Sequence, residues 1–91
     1  MRYLYEISVD GRVQGVGYRY FVKARASELN LKGFVRNSYD GRVHIEAEGE
    51  RDDLEIFLET LRKGPALARV DRMEVSKAPC RDAYYSFEIR Y

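Results

Sequence analysis

The sequence is poor in the residues that build disulfides and metal sites. Among its 91 residues there is one cysteine, Cys80, and one histidine, His44. A single cysteine excludes an internal disulfide and any multi-cysteine metal site, and a single histidine makes Cys/His zinc ligation implausible. The residues alone therefore predict a protein without a bound metal.

A dominant charge and a long apolar run are also missing. Sixteen lysines and arginines oppose fifteen aspartates and glutamates, which leaves a formal net charge of +1. This balance creates no long-range field for a polyanion, so nucleic-acid binding is disfavoured. No stretch approaches the roughly 18 apolar residues of a membrane span, and residues 1–10 alternate instead of forming a signal-peptide core. We expect a cytoplasmic protein that binds neither nucleic acid nor a membrane.

The apolar content is nevertheless sufficient for a compact core. Hydrophobic residues make up 45% of the chain and charged residues 34%. A chain of 91 residues fills one core and is too short for two. We expect residues 1–91 to form a single domain.

The spacing of apolar residues predicts five strands and two helices. Alternation near the start is typical of a strand with one buried face, and helical spacing marks two later segments. The predicted order is strand 3–9, helix 18–29, strands 32–38 and 42–48, helix 51–63, strand 69–77 and a final alternating strand at 85–91. In this scheme the inward-facing aromatic residues include Tyr3, Tyr5, Tyr85 and Tyr91.

The order of these elements is β-α-β-β-α-β followed by one strand. It predicts an α+β fold, a ferredoxin-like split β-α-β sandwich. Its antiparallel sheet has four main strands plus a short extra strand, and two helices pack on one face. RNA-recognition motifs share this order, and residues 32–34 imitate the start of their longer sheet motif. Residues 35–37 depart from that motif, so an RNA-binding module is the weaker alternative.

A glycine-rich loop joins the first strand to the first helix. Its glycines permit positive φ values and lack Cβ atoms, so backbone N–H groups can converge on an anion at the positive end of the helix. Arg19 adds a planar guanidinium suited to phosphate oxygens. Residues 14–18 contain no Ser, Thr, Asp or Asn to cap the helix, and a bound anion would satisfy its free N–H groups. The alternative is an ordinary strand-to-helix turn with a solvated arginine.

A second candidate segment ends at Asn37. Residues 33–37 read GFVRN and run into Asp40-Gly41, a strong signal for a hairpin turn. Asparagine is also common as a plain strand-end or turn residue. Taken alone, Asn37 therefore favours no particular chemistry.

Together the two segments resemble the signatures of the acylphosphatase family. Residues 11–19, GRVQGVGYR, follow the pattern G-R-V-Q-G-V-x-[FY]-R, and residues 33–43 follow G-[FYW]-V-x-N-x-x-x-G-x-V. The resemblance implies a hydrolase that cleaves the carboxyl-phosphate anhydride of acyl phosphates without a metal or cofactor. It implies that Arg19 is catalytic and that Asn37 orients the attacking water. The phosphate would be bound by Gln14, Gly15, Val16, Gly17, Tyr18 and Arg19.

The implied chemistry requires few protein groups. A carboxylate leaving group, whose conjugate acid has a pKa of about 4 to 5, departs without protonation. This agrees with a sequence that has one histidine, interpreted as a surface residue, and no recognisable acid/base pair near the motifs. We expect a monomer that acts on a small acyl phosphate. A ligand-binding domain without catalysis remains the alternative, because acylphosphatase-like domains also occur in larger proteins such as carbamoyl-transferring hydrogenase maturation factors.

Overall fold

The computed structural model describes residues 1–91 as five strands and two helices. In chain order the elements are β1 (Arg2–Arg12), α1 (Tyr18–Glu28), β2 (Lys32–Asn37), β3 (Val43–Glu50), α2 (Arg51–Lys63), β4 (Arg69–Pro79) and β5 (Phe87–Arg90). Every predicted element is present and the predicted order is confirmed. Neither helix is long and apolar enough to cross a membrane.

The strands form one sheet in the order β4-β1-β3-β2-β5. The pairs β1–β3, β1–β4 and β2–β3 are antiparallel, but β5 pairs with β2 in parallel, with Arg36 opposite Arg90. The ferredoxin-like α+β class is confirmed, and so is the antiparallel sheet of four main strands, to which the short extra strand β5 is added in parallel. β4 and β5 occupy opposite edges, so the chain crosses the sheet between them.

Both helices pack on one face of this sheet and share its core. Residues Ile7, Val9, Val35 and Ile45 are fully buried in the same cluster as helical residues of both helices. The stripe predicted for α2 is confirmed, since its buried residues are Leu54, Phe57, Leu58 and Leu61. The sheet and two helices thus bury one continuous core, as the alternating and helical patterns require.

The tyrosine prediction is only partly correct. Tyr5 is buried and Tyr3 packs at the edge of the core, but Tyr85 and Tyr91 are 99% and 91% exposed. Tyr85 precedes the start of β5 and Tyr91 follows its end. The inward positions of β5 therefore go to Phe87 and Ile89, and the two flanking tyrosines lie outside the paired region.

The segment 80–86 that crosses from β4 to β5 is held by a buried carboxylate. Glu48 is 1% exposed and accepts backbone N–H bonds from Arg81 at 2.8 Å and Ala83 at 3.0 Å. The Tyr84 ring packs edge-on against Phe34 with 5.9 Å between ring centres. These contacts fix the path of the chain into β5, which in turn fixes the residues at the end of β5.

Candidate functional site

The two motif segments meet at one end of the sheet. Val43, the first residue of β3, lies opposite both Val9 of β1 and Asn37 of β2. Since β3 runs antiparallel to both neighbours, the loop after β1 and the hairpin after β2 leave the sheet at the same end. The strand pairing therefore brings the glycine-rich loop next to Asn37.

The loop between β1 and α1 owes its shape to two glycines. Gly15 and Gly17 have φ values of 74° and 79°. A Cβ atom added at either position would meet nothing within 4 Å, so there is room for a side chain. Glycine is favoured at both positions only because of the positive φ values. Gly17 is also the N-cap of α1 and makes no side-chain capping bond, as the sequence predicted.

The backbone N–H groups from Gln14 to Tyr20 have no hydrogen-bond acceptor in the protein. The next backbone N–H along the chain, that of Phe21, donates to the Gly17 carbonyl at 3.1 Å. The first turn of α1 also contains no acidic residue, so the positive end of the helix dipole is not compensated. A row of free N–H groups at such a helix end is a favourable environment for an anion.

Gln14 joins the loop to the hairpin that follows Asn37. Its Nε2 donates to the carbonyl oxygens of Ser38 at 2.9 Å and Arg42 at 2.8 Å. The Ser38 N–H donates to the same Arg42 oxygen at 2.8 Å, which closes the hairpin. Both side-chain N–H donors of Gln14 are therefore occupied, and its backbone N–H is the donor that remains for an anion.

Asn37 is the last residue of β2 and carries an unpaired polar atom. Its Oδ1 is buried and has no hydrogen-bond partner. The side chain borders a cavity of about 320 Å³ that is also lined by Arg36, Ser38, Tyr39 and Tyr91. A buried acceptor without a donor is costly, so its retention at the cavity favours a functional reason.

Arg19 lies in the first turn of α1 and reaches toward β5. Its Nη1 donates to the Arg90 carbonyl oxygen at 3.2 Å, and its Cζ lies 4.7 Å from the centre of the Tyr91 ring. Arg19 also borders a small cavity of about 90 Å³ enclosed by the loop, together with Gly15 and Gly17. Tyr91 in turn borders the cavity of Asn37. Tyr91 thus connects Arg19 to the cavity of Asn37, and Gln14 connects the loop to the hairpin that follows Asn37.

Tyr18, the remaining motif residue, faces the core. It is fully buried, and its hydroxyl donates to the Leu61 carbonyl oxygen at 3.0 Å. Burial raises the pKa of the Tyr18 hydroxyl, which keeps the donor protonated. Its side chain therefore anchors α1 to α2, and only its backbone N–H is left as a donor for an anion.

Sequence reasoning missed the contacts that Arg90 and Tyr91 make with Arg19. Neither residue belongs to a motif, and the alternating pattern assigned Tyr91 to the core. The parallel pairing of Arg36 with Arg90 places the next positions, Asn37 and Tyr91, side by side. No local pattern contains this information, because it depends on which strand β5 joins.

A ferredoxin-like domain with a glycine-rich loop of free N–H groups before its first helix is the class that fold and site define. Comparison with known proteins is more specific: the family model for acylphosphatase matches residues 5–89. An acylphosphatase of Archaeoglobus fulgidus is 51% identical over 86 residues, which cover 94% of this chain and 96% of that protein. The chain belongs to the acylphosphatase family, and it is an enzyme that hydrolyses acyl phosphates.

Solved structures agree with this assignment. The crystal structure of acylphosphatase from Bacillus subtilis matches with a TM-score of 0.95 and 42% identity over 98% of this chain and 99% of that one. Full-length HypF in a phosphate- and nucleotide-bound form matches with a TM-score of 0.87 and 34% identity. That match covers 100% of this chain but 12% of HypF, so the same fold also occurs within a larger protein.

Proposed function

We propose that the loop residues 14–19 bind the phosphoryl group and that Asn37 presents the water that attacks it, without a metal. The observation that carries the proposal is the row of free N–H groups from Gln14 to Tyr20, which includes that of Arg19 and which the Gln14 side chain ties to the hairpin that follows Asn37. Positioning and charge stabilisation are the main contributions that phosphoryl transfer requires of a protein.

The phosphoryl oxygens bind to backbone N–H groups between Gly15 and Arg19 and to the Arg19 guanidinium. Only one guanidinium contact is used by the Arg90 carbonyl, so further N–H donors remain for the substrate. A guanidinium and oriented amides stabilise the charge that develops on the phosphoryl group and cost no reorganisation during the reaction. These groups take the place that Mg²⁺ has in enzymes acting on polyphosphates.

The attacking water binds at Asn37. The Asn37 carboxamide, beside the cavity that the residue lines, holds this water by a hydrogen bond and directs one of its oxygen lone pairs toward phosphorus. As the O–P bond to water forms, the bond to the acyl oxygen breaks, and the carboxylate leaves with its electron pair. The water's proton passes to an oxygen of the substrate's own phosphate, so no protein base is needed. The products are a carboxylate and inorganic phosphate.

The metal-free mechanism is tested by phosphate release from acetyl and benzoyl phosphate in the presence of EDTA. We expect turnover to be unchanged by the chelator, and a simple phosphomonoester to be a poor substrate because its leaving group is far more basic. Loss of activity in EDTA that returns on adding a divalent cation would refute the proposal.

The wider expectations belong to the same proposal. Residues 1–91 act as one domain, as a cytoplasmic monomer, on a small acyl phosphate and without nucleic acid, membrane or cofactor. Sedimentation equilibrium at micromolar concentration should give the mass of one chain, 10.7 kDa. A stable dimer would overturn the monomer expectation without affecting the mechanism.

A further inference from the structure

Arg19 is oriented by groups that leave its positive charge free. Most arginines of this protein pair with a carboxylate, as Arg25 does with Glu28 and Arg69 with Asp71. Arg19 has no carboxylate partner; it contacts the Arg90 carbonyl at 3.2 Å and the Tyr91 ring at 4.7 Å. A carboxylate in this position would neutralise the guanidinium and compete with phosphate. A carbonyl dipole and an aromatic face hold it without that effect.

Tyr91 borders both halves of the candidate site. Its ring lies against the Arg19 guanidinium, and it lines the same cavity of about 320 Å³ as Asn37. The ring is 91% exposed, so it adds nothing to the core that would explain its position. One side chain therefore lies between the residue proposed to bind the phosphoryl group and the residue proposed to bind water.

The position of Tyr91 is determined by distant contacts. Tyr91 follows β5 directly, and β5 is aligned by its pairing with β2 and by the Arg90 guanidinium, which lies 4.1 Å from the centre of the Phe34 ring. The crossing segment before β5 is held by Glu48. The strand pairing of β5 and the Arg90–Phe34 contact thus bring Tyr91, the next residue, to the site.

We propose that Tyr91 is a positioning residue, whose ring holds the Arg19 guanidinium at the position that it needs relative to Asn37. The inference rests on the proposed function, in which Arg19 binds the phosphoryl group. The face of the ring is the active part, because a cation–π contact requires the aromatic π-system and not the hydroxyl. The neighbouring Tyr20 hydroxyl raises the pKa of the Tyr91 hydroxyl, so replacing Tyr91 by phenylalanine removes that interaction but keeps the ring.

The test compares Tyr91→Leu with Tyr91→Phe by measuring the inhibition constant of inorganic phosphate, and KM and kcat for benzoyl phosphate. We expect Tyr91→Leu to raise the phosphate inhibition constant and KM about two- to fivefold, the range for an exposed cation–π contact, with a smaller change in kcat. Tyr91→Phe should match the wild type. The matched control is Tyr85→Leu, because Tyr85 is 99% exposed and borders a different cavity beside Asn30 and Leu31.

A double-mutant cycle with Arg19→Ala separates this inference from the proposed function. Arg19→Ala should lower turnover at least about a hundredfold and weaken phosphate binding, and adding Tyr91→Leu should weaken it no further. Unchanged phosphate binding in Arg19→Ala would refute the proposed role of Arg19 itself. If Arg19→Ala weakens binding but Tyr91→Leu does not, or if Tyr91→Phe is as damaging as Tyr91→Leu, the positioning role of Tyr91 is wrong and the proposed function stands.

Discussion

Asn37 combines a cost in stability with a proposed role in catalysis. Its Oδ1 is buried without a donor, and such an atom destabilises a folded protein by roughly 1–3 kcal/mol. Natural proteins keep such defects mainly at functional sites. Replacing Asn37 should therefore lower the activity of the enzyme and raise its stability.

Asn37→Ala should lower kcat at least about a hundredfold, because it removes the group that orients water, and leave KM nearly unchanged. The same substitution should raise the free energy of unfolding by about 1 kcal/mol, since it removes the unpaired acceptor. Steady-state kinetics and urea unfolding measure the two effects. Ser38→Ala, next in the hairpin, serves as the control and should change neither. Wild-type turnover in Asn37→Ala would contradict the mechanism.

The loop between β1 and α1 is the element that we propose binds the phosphoryl group, and in that proposal its backbone conformation matters more than its side chains. Gly17 adopts a left-handed conformation at the helix start, and the N–H groups that follow it are free. The side chains of Gln14 and Tyr18 are engaged in structural hydrogen bonds instead. Changes to the loop backbone should therefore affect phosphate binding directly.

Gly17→Ala should destabilise the protein by roughly 1–2 kcal/mol, because alanine is strained at a φ of 79°. It should also raise the inhibition constant of phosphate severalfold by reorienting the loop amides. Gly41→Ala is a matched control, since Gly41 has a φ of 91° and equally open space around its Cβ position. Gly41→Ala should lower the free energy of unfolding by a similar amount but leave the inhibition constant of phosphate unchanged. Equal loss of phosphate binding in both variants would indicate general destabilisation.

On the scale of the whole molecule, the site depends on how the chain reaches β5. Glu48 accepts two backbone N–H bonds from the crossing segment, and β5 then places Arg90 and Tyr91 against Arg19. The Arg19–Arg90 contact joins residues 71 positions apart in the sequence. We therefore expect Glu48 to contribute both to global stability and to the arrangement of the site.

Glu48→Gln should lower the free energy of unfolding by roughly 2 kcal/mol, because it replaces charge-assisted bonds and turns an NH₂ donor toward a backbone N–H. For a domain of this size such a loss lowers Tm by about 10 °C. Calorimetry provides the measurement. Glu50→Gln, at the exposed end of β3, should shift Tm by less than about 3 °C. A Glu48→Gln protein as stable as the wild type would show that the crossing segment is held by other contacts.

Local patterns predicted the elements that depend on one buried face or on one stretch of chain. The stripe of α2 is confirmed residue by residue, and the absence of a side-chain cap before α1 is correct. The prediction failed where contacts join distant strands. It assigned Tyr85 and Tyr91 to inward strand positions, and it did not predict which strand β5 joins or in which direction. Alternation reports which side of a strand a residue occupies, but neither the length of the strand nor its partner.

The sequence by itself determined the fold class, the order of elements and the presence of a glycine-rich loop before an uncapped helix, because periodicity, glycine placement and helix capping act within a few residues of chain. Only the tertiary structure decided that β5 joins β2 in parallel, that Gln14 ties the loop to the hairpin and that Tyr91 lies between Arg19 and Asn37. These contacts follow from strand pairing across the whole chain, and strand pairing is selected by the packing of one common core.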